Sequence, residues 1–309
     1  MALNPQTTTD LSTGLMSYLE KMFLSILRKN LILLPYGKKK SLSKGQGKTM
    51  DWRRWSDLSA ATTALTEGVT PSGASLTLNS VSATLAQYGN FVTVTDILSL
   101  TFINDVMKEA LDVIGYNASL TLDQIVRNEL DTGLTLAYAD AANNSSEANV
   151  SSGSDVLRSN ELRIITETLH GSDVPEYEDG YFIGVIHPKV EGDLMGETGT
   201  GTALEAYKYT TREQVERGVI GTAYGIKLKR SSNIRAVTAN VYRNIFFGKD
   251  AFGVVDVMGS SKPEIIVSPT GSGGTEDALK QRATIAWKTY FVTKVLEAAR
   301  GISMASYSA

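Results

Sequence analysis

Residues 52–96 read WRRWSDLSAATTALTEGVTPSGASLTLNSVSATLAQYGNFVTVTD, and this stretch decides the architecture. It is rich in Thr, Ser, Ala and Val, alternates as β-strands do, and carries turn signals at Gly68, Pro71-Ser72-Gly73 and Gly89-Asn90. Its apolar residues are sparse (Leu76, Leu78, then Val81, Ala83 and Leu85) and change phase once. A core strand is more uniformly apolar. The pattern therefore predicts a long hairpin with two weakly apolar faces, projecting from the body. Trp52-Arg53-Arg54-Trp55 interleaves aromatic and basic groups, which can stack nucleic-acid bases. It also fits a strand whose tryptophans anchor the preceding segment, and we adopt that reading.

Upstream, the charge is lopsided. Residues 1–60 hold ten Lys/Arg against four Asp/Glu, whereas the remainder holds 20 against 29. The excess lies between Arg28 and Arg54, with Lys38, Lys39, Lys40, Lys44 and Lys48 opposed only by Asp51. Before it, Leu15, Leu19, Met22, Phe23 and Ile26 recur at helical spacing and predict a short amphipathic helix. After that helix comes PYGKKKSLSKGQGKT, too polar and glycine-rich to pack alone. Residues 1–50 thus read as an extended arm that finds its partner elsewhere.

Downstream, Ile103, Val106, Met107, Ala110, Ile114, Ala118, Thr121, Ile125 and Val126 mark a helix from Ile103 to about Leu130. Such a rod is about 42 Å long and suits a structural spine. ADAANNSSEANVSSGSD, residues 139–155, reads as a polar surface loop. A helix is expected over Ser159–Leu169 ending at Gly171, then a continuous apolar strand Tyr181–Ile186 and a helix opening at Pro188. Further strands are expected around Tyr224–Lys229, Ala251–Val257, Glu264–Val267 and Arg282–Val295. In the last of these Ile285, Trp287, Thr289, Phe291, Thr293 and Val295 share one face. The fold class is α+β.

Chemistry is poorly supplied. The chain has 309 residues, no cysteine and two histidines. That excludes a disulfide scaffold, thiolate metal sites and a histidine-rich metal centre. Gly47-Lys48-Thr49 ends like a phosphate-binding loop, but Leu42 stands where that motif requires glycine. Gly196, Gly199 and Gly201 follow a helix rather than a strand, the wrong context for a dinucleotide site. His187 ends an apolar strand and His170 sits at a helix C-terminus, both structural positions. Acidic residues are scattered rather than set at calcium-loop spacing. No apolar run is long enough for a transmembrane helix, and no basic leader precedes one. We expect no catalytic residues, metal or cofactor, and synthesis in the cytoplasm. The basic segment 28–54 leaves nucleic-acid binding open as an alternative function.

Several longer phrases point further. Gly47-Lys-Thr and Trp52–Trp55 are followed by Ala60-Ala-Thr-Thr-Ala-Leu-Thr-Glu-Gly-Val-Thr-Pro71 and Gln87-Tyr-Gly-Asn-Phe-Val-Thr-Val-Thr-Asp96. Gly180-Tyr-Phe-Ile-Gly-Val-Ile-His-Pro188, Phe247-Gly-Lys-Asp-Ala-Phe-Gly-Val-Val255 and Gln281-Arg-Ala-Thr-Ile-Ala-Trp-Lys288 complete the set. In this order and spacing, from about residue 14 to 296, the chain resembles the N4-type family of tailed-phage major capsid proteins. The stretches 139–155 and 196–218 match that family only loosely.

The resemblance implies the Hong Kong 97-like capsid fold. Its parts would be an N-terminal arm (1–50), an E-loop hairpin (51–98) and a peripheral domain with a spine helix (99–154). An axial domain (155–250), returning peripheral strands (251–295) and a C-terminal segment (296–309) would follow. Glu67, Gly68, Pro71 and Gly73 would form the E-loop tip. Lys38, Lys39, Lys40, Lys44, Arg53 and Arg54 would contact neighbouring subunits or DNA. The implied partners are further copies of the chain in pentamers and hexamers, packaged double-stranded DNA held without sequence preference, and scaffold, portal and decoration proteins. The implied location is the virion shell, made in the cytoplasm of a bacterial host. No residue pair for the intersubunit crosslinking of the fold's namesake is assigned.

Overall fold

A computed structural model describes residues 18, 20–26, 31–42, 45, 47–56, 58–70, 72–101, 106–140, 144–151, 153–177, 179–197, 221–238, 240–257, 263–269, 279 and 281–308. Helix α1 (residues 20–26) and a 3-10 turn (Leu34–Tyr36) precede strands β1 (Lys38–Leu42), β2 (Thr49–Trp55), β3 (Leu78–Thr84) and β4 (Ala86–Thr95). A short helix α2 (Asp96–Thr101) and the long α3 (Val106–Gly133) follow. The rest of the chain is β5 (Thr135–Tyr138), α4 (Ser159–Gly171), β6 (Phe182–Ile186), α5 (Pro188–Met195), β7 (Thr222–Ala223), β8 (Ile226–Arg230), β9 (Ala236–Thr238), β10 (Val241–Phe247), β11 (Phe252–Val257), β12 (Glu264–Ser268), β13 (Arg282–Phe291), β14 (Thr293–Val295) and β15 (Gly301–Tyr307).

Helix α3 organises everything else. Leu111, Ile114, Ala118, Leu122, Val126 and Leu130 form its buried stripe. The stripe is rotated slightly from the expected one: Ile114, Ala118 and Val126 were anticipated, while Ala110, Thr121 and Ile125 lie at its half-buried edge. On one side α3 touches β4, β13 and β14; on the other it touches β10 and β15. β13 alternates strictly, burying Ala283, Ile285, Trp287, Thr289 and Phe291, as the sequence pattern required. It is the middle strand of an antiparallel sheet ordered β12-β13-β4, and β4 pairs with it along all ten residues. The expected hairpin over 52–96 is therefore shorter. Its ladder is β2 with β3, closing at Thr84, and residues 86–95 belong to the body.

A seven-stranded sheet, β5-β15-β10-β6-β8-β7 with β9 on β10, forms the other half. Apolar faces of α4 and α5 (Leu162, Ile165, Leu169, Val190, Leu194) join its strands in one continuous core. β6 is buried at every position, matching its continuous apolar reading. The C-terminal segment supplies a central strand. β15 lies between β5 and β10, and residues 301–306 are all buried. Ser303 donates to Asp131 (3.3 Å) and Ser306 accepts from Asn244 (2.8 Å).

Two further expectations are corrected. Residues 1–50 do not all seek a partner elsewhere: Phe23 and Leu33 are fully buried in the subunit's own core, and Phe23 and Ile26 approach Gly115 of α3. The lysine run is ordered too, because β1 pairs in parallel with β11 from Lys38↔Gly253 to Leu42↔Val257, the edge strand of a β1-β11-β14 sheet. The 139–155 loop is polar but anchored. Val150 and Asp155 are buried, and Glu147 holds Arg243 through two bonds of 2.5 and 2.8 Å.

Polar anchors on α3 fix its position. Asp123 accepts from the backbone N–H groups of Ile32 (3.2 Å) and Leu33 (2.9 Å) and from Asn233 (3.1 Å). Asp131, buried near the helix C-terminus, accepts from Arg235 (2.8 Å), Arg243 (3.1 Å) and Ser303 (3.3 Å). The hydrogen bonds that Arg243 donates to Glu147, with support from Asp131, hold its guanidinium even more firmly protonated than usual despite burial. Removing Asp131 would leave Arg243 paired with Glu147 but would strip the buried Ser303 hydroxyl and one Arg243 N–H of their acceptor. Asp131→Ala should lower subunit stability by about 1–3 kcal/mol in urea denaturation, without changing the secondary structure of the molecules that remain folded.

Candidate assembly surface

The hairpin base packs on the body and its outer part does not. Met50, Trp52 and Ala83 meet Leu42 and Val255 in a small core of their own, with Leu85, Val292 and Leu296 at its edge. Trp52 lies flat on Gly253 of β11, where an added Cβ would stand 2.6 Å from the indole ring. One tryptophan is thus the expected anchor. The other, Trp55, is 56% exposed.

Beyond Trp55 the chain leaves the body. Every described residue from Leu58 to Ser80 is exposed, including Leu58, Leu65, Val69, Leu76 and Leu78. The tip turns at Glu67-Gly68, where Gly68 has φ +78° and the Val69 N–H donates to Thr66 O at 3.2 Å. Gly73 is exposed, and a side chain there would meet open space. Pro71 lies outside the described residues, as does Lys44. A projection carrying five large apolar side chains and no packed face of its own cannot hold a fixed shape in water.

At the hairpin root, four of the predicted contact residues come together. Lys38, Lys40, Arg53 and Arg54 line one cavity of about 670 Å³, with Trp52, Val81 and Leu296 among its apolar walls. Lys39, on the opposite face of the β1 pleat, is exposed but outside it. Sequence reading did not include Arg300, Asp250 and Glu297, which also line the cavity. No local motif links them, because they come from segments some 200 positions further along. Lys38 pairs with Asp250 at 2.7 Å, and Glu297 pairs with both Arg54 and Arg300. Five cations face two carboxylates, so the cavity is basic.

Neither histidine is set up for catalysis. His187 stacks on Tyr242 with ring centroids 4.0 Å apart, and its Nδ1 accepts from the Lys189 N–H to cap α5. Burial, helped by Lys189, lowers its pKa. His170 lies 3.5 Å from Glu176 and edge-on to Phe182. Among the described residues no group of three or more His, Asp or Glu could hold a metal. No described helix is long and apolar enough to cross a membrane.

Comparison with known proteins gives a consistent answer. Residues 77–302 match a family model described as phage capsid protein. No curated protein sequence matches the chain. Among solved structures, the capsid of cyanophage P-SCSP1u aligns with TM-score 0.65 at 16% identity, over 90% of this chain and 88% of that one. The capsid of Ralstonia phage GP4 aligns at 0.66 and 14% identity, covering 89% and 87%. The cyanophage Pam1 capsid aligns at 0.68 and 13% identity, covering 89% and 91%. The fold is the mixed α+β, Hong Kong 97-like capsid architecture that the resemblance led us to expect.

The packing of Trp52 generates a direct test. Gly253→Ala forces a methyl into the indole ring and should detach the hairpin root, an overpacking cost of about 1–3 kcal/mol. Tryptophan emission should shift to the red and proteolysis within residues 49–84 should accelerate, while far-ultraviolet circular dichroism stays close to that of the parent. An unchanged emission spectrum would mean that Trp52 does not anchor the hairpin.

Proposed function

This chain belongs to the phage capsid protein family, and on that premise we propose how it builds a shell. It is a major capsid protein, and its place is the virion capsid. We propose that copies associate as pentamers and hexamers of an icosahedral head that encloses double-stranded DNA, and that within the family the chain is nearest the N4-type coat proteins. The observation that carries the mechanism is the exposed hairpin. Leu58, Leu65, Val69, Leu76 and Leu78 are apolar, carried on one projection, and uncovered by their own subunit. In the shell each projection lies across an adjacent subunit and buries those side chains there.

The energetics favour repetition. Burying apolar area stabilises by about 25 cal/mol per Å², so a few leucines supply only a modest contact per subunit. Closed symmetry repeats that contact around every ring and makes its loss cooperative. We assign the domain roles that the resemblance implies, with the hairpin ladder confined to residues 49–84 and residues 86–95 paired into the body. Residues 1–50 serve as the arm, 51–98 as the E-loop, 99–154 and 251–295 as the peripheral domain, and 155–250 as the axial domain. The C-terminal segment 296–309 adds β15 to the axial sheet.

We assign Lys38, Lys39, Lys40, Lys44, Arg53 and Arg54 to contacts with neighbouring subunits or packaged DNA, any DNA contact being to phosphates and blind to sequence. Glu67, Gly68, Pro71 and Gly73 form the tip that reaches the neighbour. Scaffold, portal and decoration proteins are the further partners, the chain acts structurally rather than as an enzyme, and its synthesis is in the host cytoplasm. The rival reading, a nucleic-acid-binding protein built on residues 28–54, has less support. Part of that segment is a paired strand, and Trp52 is turned into the body.

The hairpin itself provides the test. Limited proteolysis of the free subunit should cut between Ala64 and Ser75, and assembled shells should resist. Deleting Thr66–Ser75 should abolish closed shells while leaving a soluble, folded core, read by sedimentation and negative-stain microscopy. Equal protection of the segment in both states would show that it packs on its own subunit.

A further inference from the structure

Between α4 and β6 the chain runs Ser172-Asp-Val-Pro-Glu-Tyr-Glu-Asp-Gly180, which places four carboxylates in residues 173–179 and no cation. Its described part is a tight knuckle. Asp173 and Gly180 take positive φ (50° and 73°), and the Gly180 N–H donates to Tyr177 O at 2.8 Å. The knuckle is seated on the body. Val174 is buried, Pro175 O accepts from the Lys249 N–H at 2.9 Å, and the Tyr177 hydroxyl donates to Tyr36 O at 3.0 Å. Gly248 beneath it has no room for a Cβ, which would meet Val174 at 2.4 Å. Glu176 and Asp179 reach the surface, where they pair with His170 (3.5 Å) and Lys227 (3.3 Å) among the described residues. Exposed pairs of this kind contribute little and exchange readily.

The knuckle is seated on segments that lead directly into the wall of the basic cavity at the hairpin root. Lys249 adjoins Asp250 of the cavity wall, and Tyr36 lies two residues before Lys38, which also lines it. An acidic surface and a basic surface side by side are self-complementary under a twofold rotation. We propose that the acidic knuckle of one copy enters the basic cavity of a second copy, and the reverse, across a local twofold axis of the shell. This rests on the capsid reading and adds a second kind of contact to it. The apolar hairpin joins neighbours within a ring, and the charged pair joins one ring to the next.

Three features favour a peptide knuckle over DNA as the occupant. The cavity has apolar walls at Trp52, Val81 and Leu296, which a phosphate backbone does not use. Asp250 and Glu297 line it as well, and they would repel a uniformly anionic duplex. A knuckle already fixed by its own hydrogen bonds loses little conformational freedom on docking.

A charge exchange tests the pairing in the full-length chain, with its scaffold partner where assembly needs one. Lys40→Glu/Arg53→Glu and Glu176→Lys/Asp179→Lys each place like charges together, and each should cut the yield of closed shells by about tenfold or more while free rings persist. Combining all four substitutions should restore shells to near the parental yield. Thermal melts of the free subunits should match the parent, so that loss of shells is not loss of fold. The proposal is overturned if either double variant assembles normally, if the combination does not rescue, if the rings are lost as well, or if shells form normally and only DNA retention falls. If the parent chain forms no shells under any condition, the capsid mechanism itself has failed, a separate result.

Discussion

A buried carboxylate at the wrong end of a helix constrains the whole subunit. Asp131 sits two residues before Gly133, the last residue of α3, where the helix dipole disfavours negative charge, and it has almost no contact with solvent. It is tolerable only because Arg243 of β10, Arg235 and Ser303 of β15 converge on it. Two of those donors lie on the neighbouring strands β10 and β15, and Arg235 stands just before β9, which also pairs with β10. The helix can therefore have only one axial position against that sheet. Asp123, about two turns earlier, fixes the backbone of Ile32 and Leu33 in the same manner. Asn117, earlier still, accepts from the Trp287 indole at 3.1 Å and ties in β13. Apolar packing alone would allow α3 to slide by a turn; these polar contacts remove that freedom, the use of buried charge that is best attested.

Rigidity at the spine gives meaning to looseness at the edge. A shell subunit must place its projections accurately on a neighbour while making each contact weak enough to correct during assembly. The spine network places the hairpin root through β14, β11 and Trp52. The hairpin beyond Trp55 keeps its apolar residues single and separated by Thr, Ser and Ala. Scattered apolar residues of this kind do not form the contiguous patch that makes a free protein aggregate. In the proposed shell the same residues are buried together against a neighbour.

How much of this could be read in advance depends on whether one face of an element differs from the other. β13 alternates and α3 has a stripe, so both were legible, α3 with its stripe slightly rotated because Leu111 and Leu122, rather than Ala110 and Thr121, face the core. β6 is continuously apolar and was legible by that alone. β10 and β15 were not. Tyr242-Arg243-Asn244 and Ser303, Ser306 look like surface chemistry, yet Asn244 and both serines are buried, satisfied by one another and by Asp131. Period and hydropathy do not register a strand whose polar side chains find partners inside. The lysine strand β1 hid for the opposite reason. All its lysines are exposed, and only the pairing with β11, more than 200 positions away, makes it a strand.

The basic cavity shows the same limit at the level of function. Lys38, Lys40, Arg53 and Arg54 were singled out because they cluster in sequence, and three of the groups that complete the cavity, Asp250, Glu297 and Arg300, were not because they do not. An enzyme announces its site by concentrating reactive groups where water is excluded. Here the two histidines serve as a helix cap and a ring contact, and the cavity at the hairpin root is lined with charge. What the isolated subunit leaves uncovered is then the more informative signal. On the proposed assembly, its unburied leucines and its adjoining surfaces of opposite sign find their partners on another copy of the same chain.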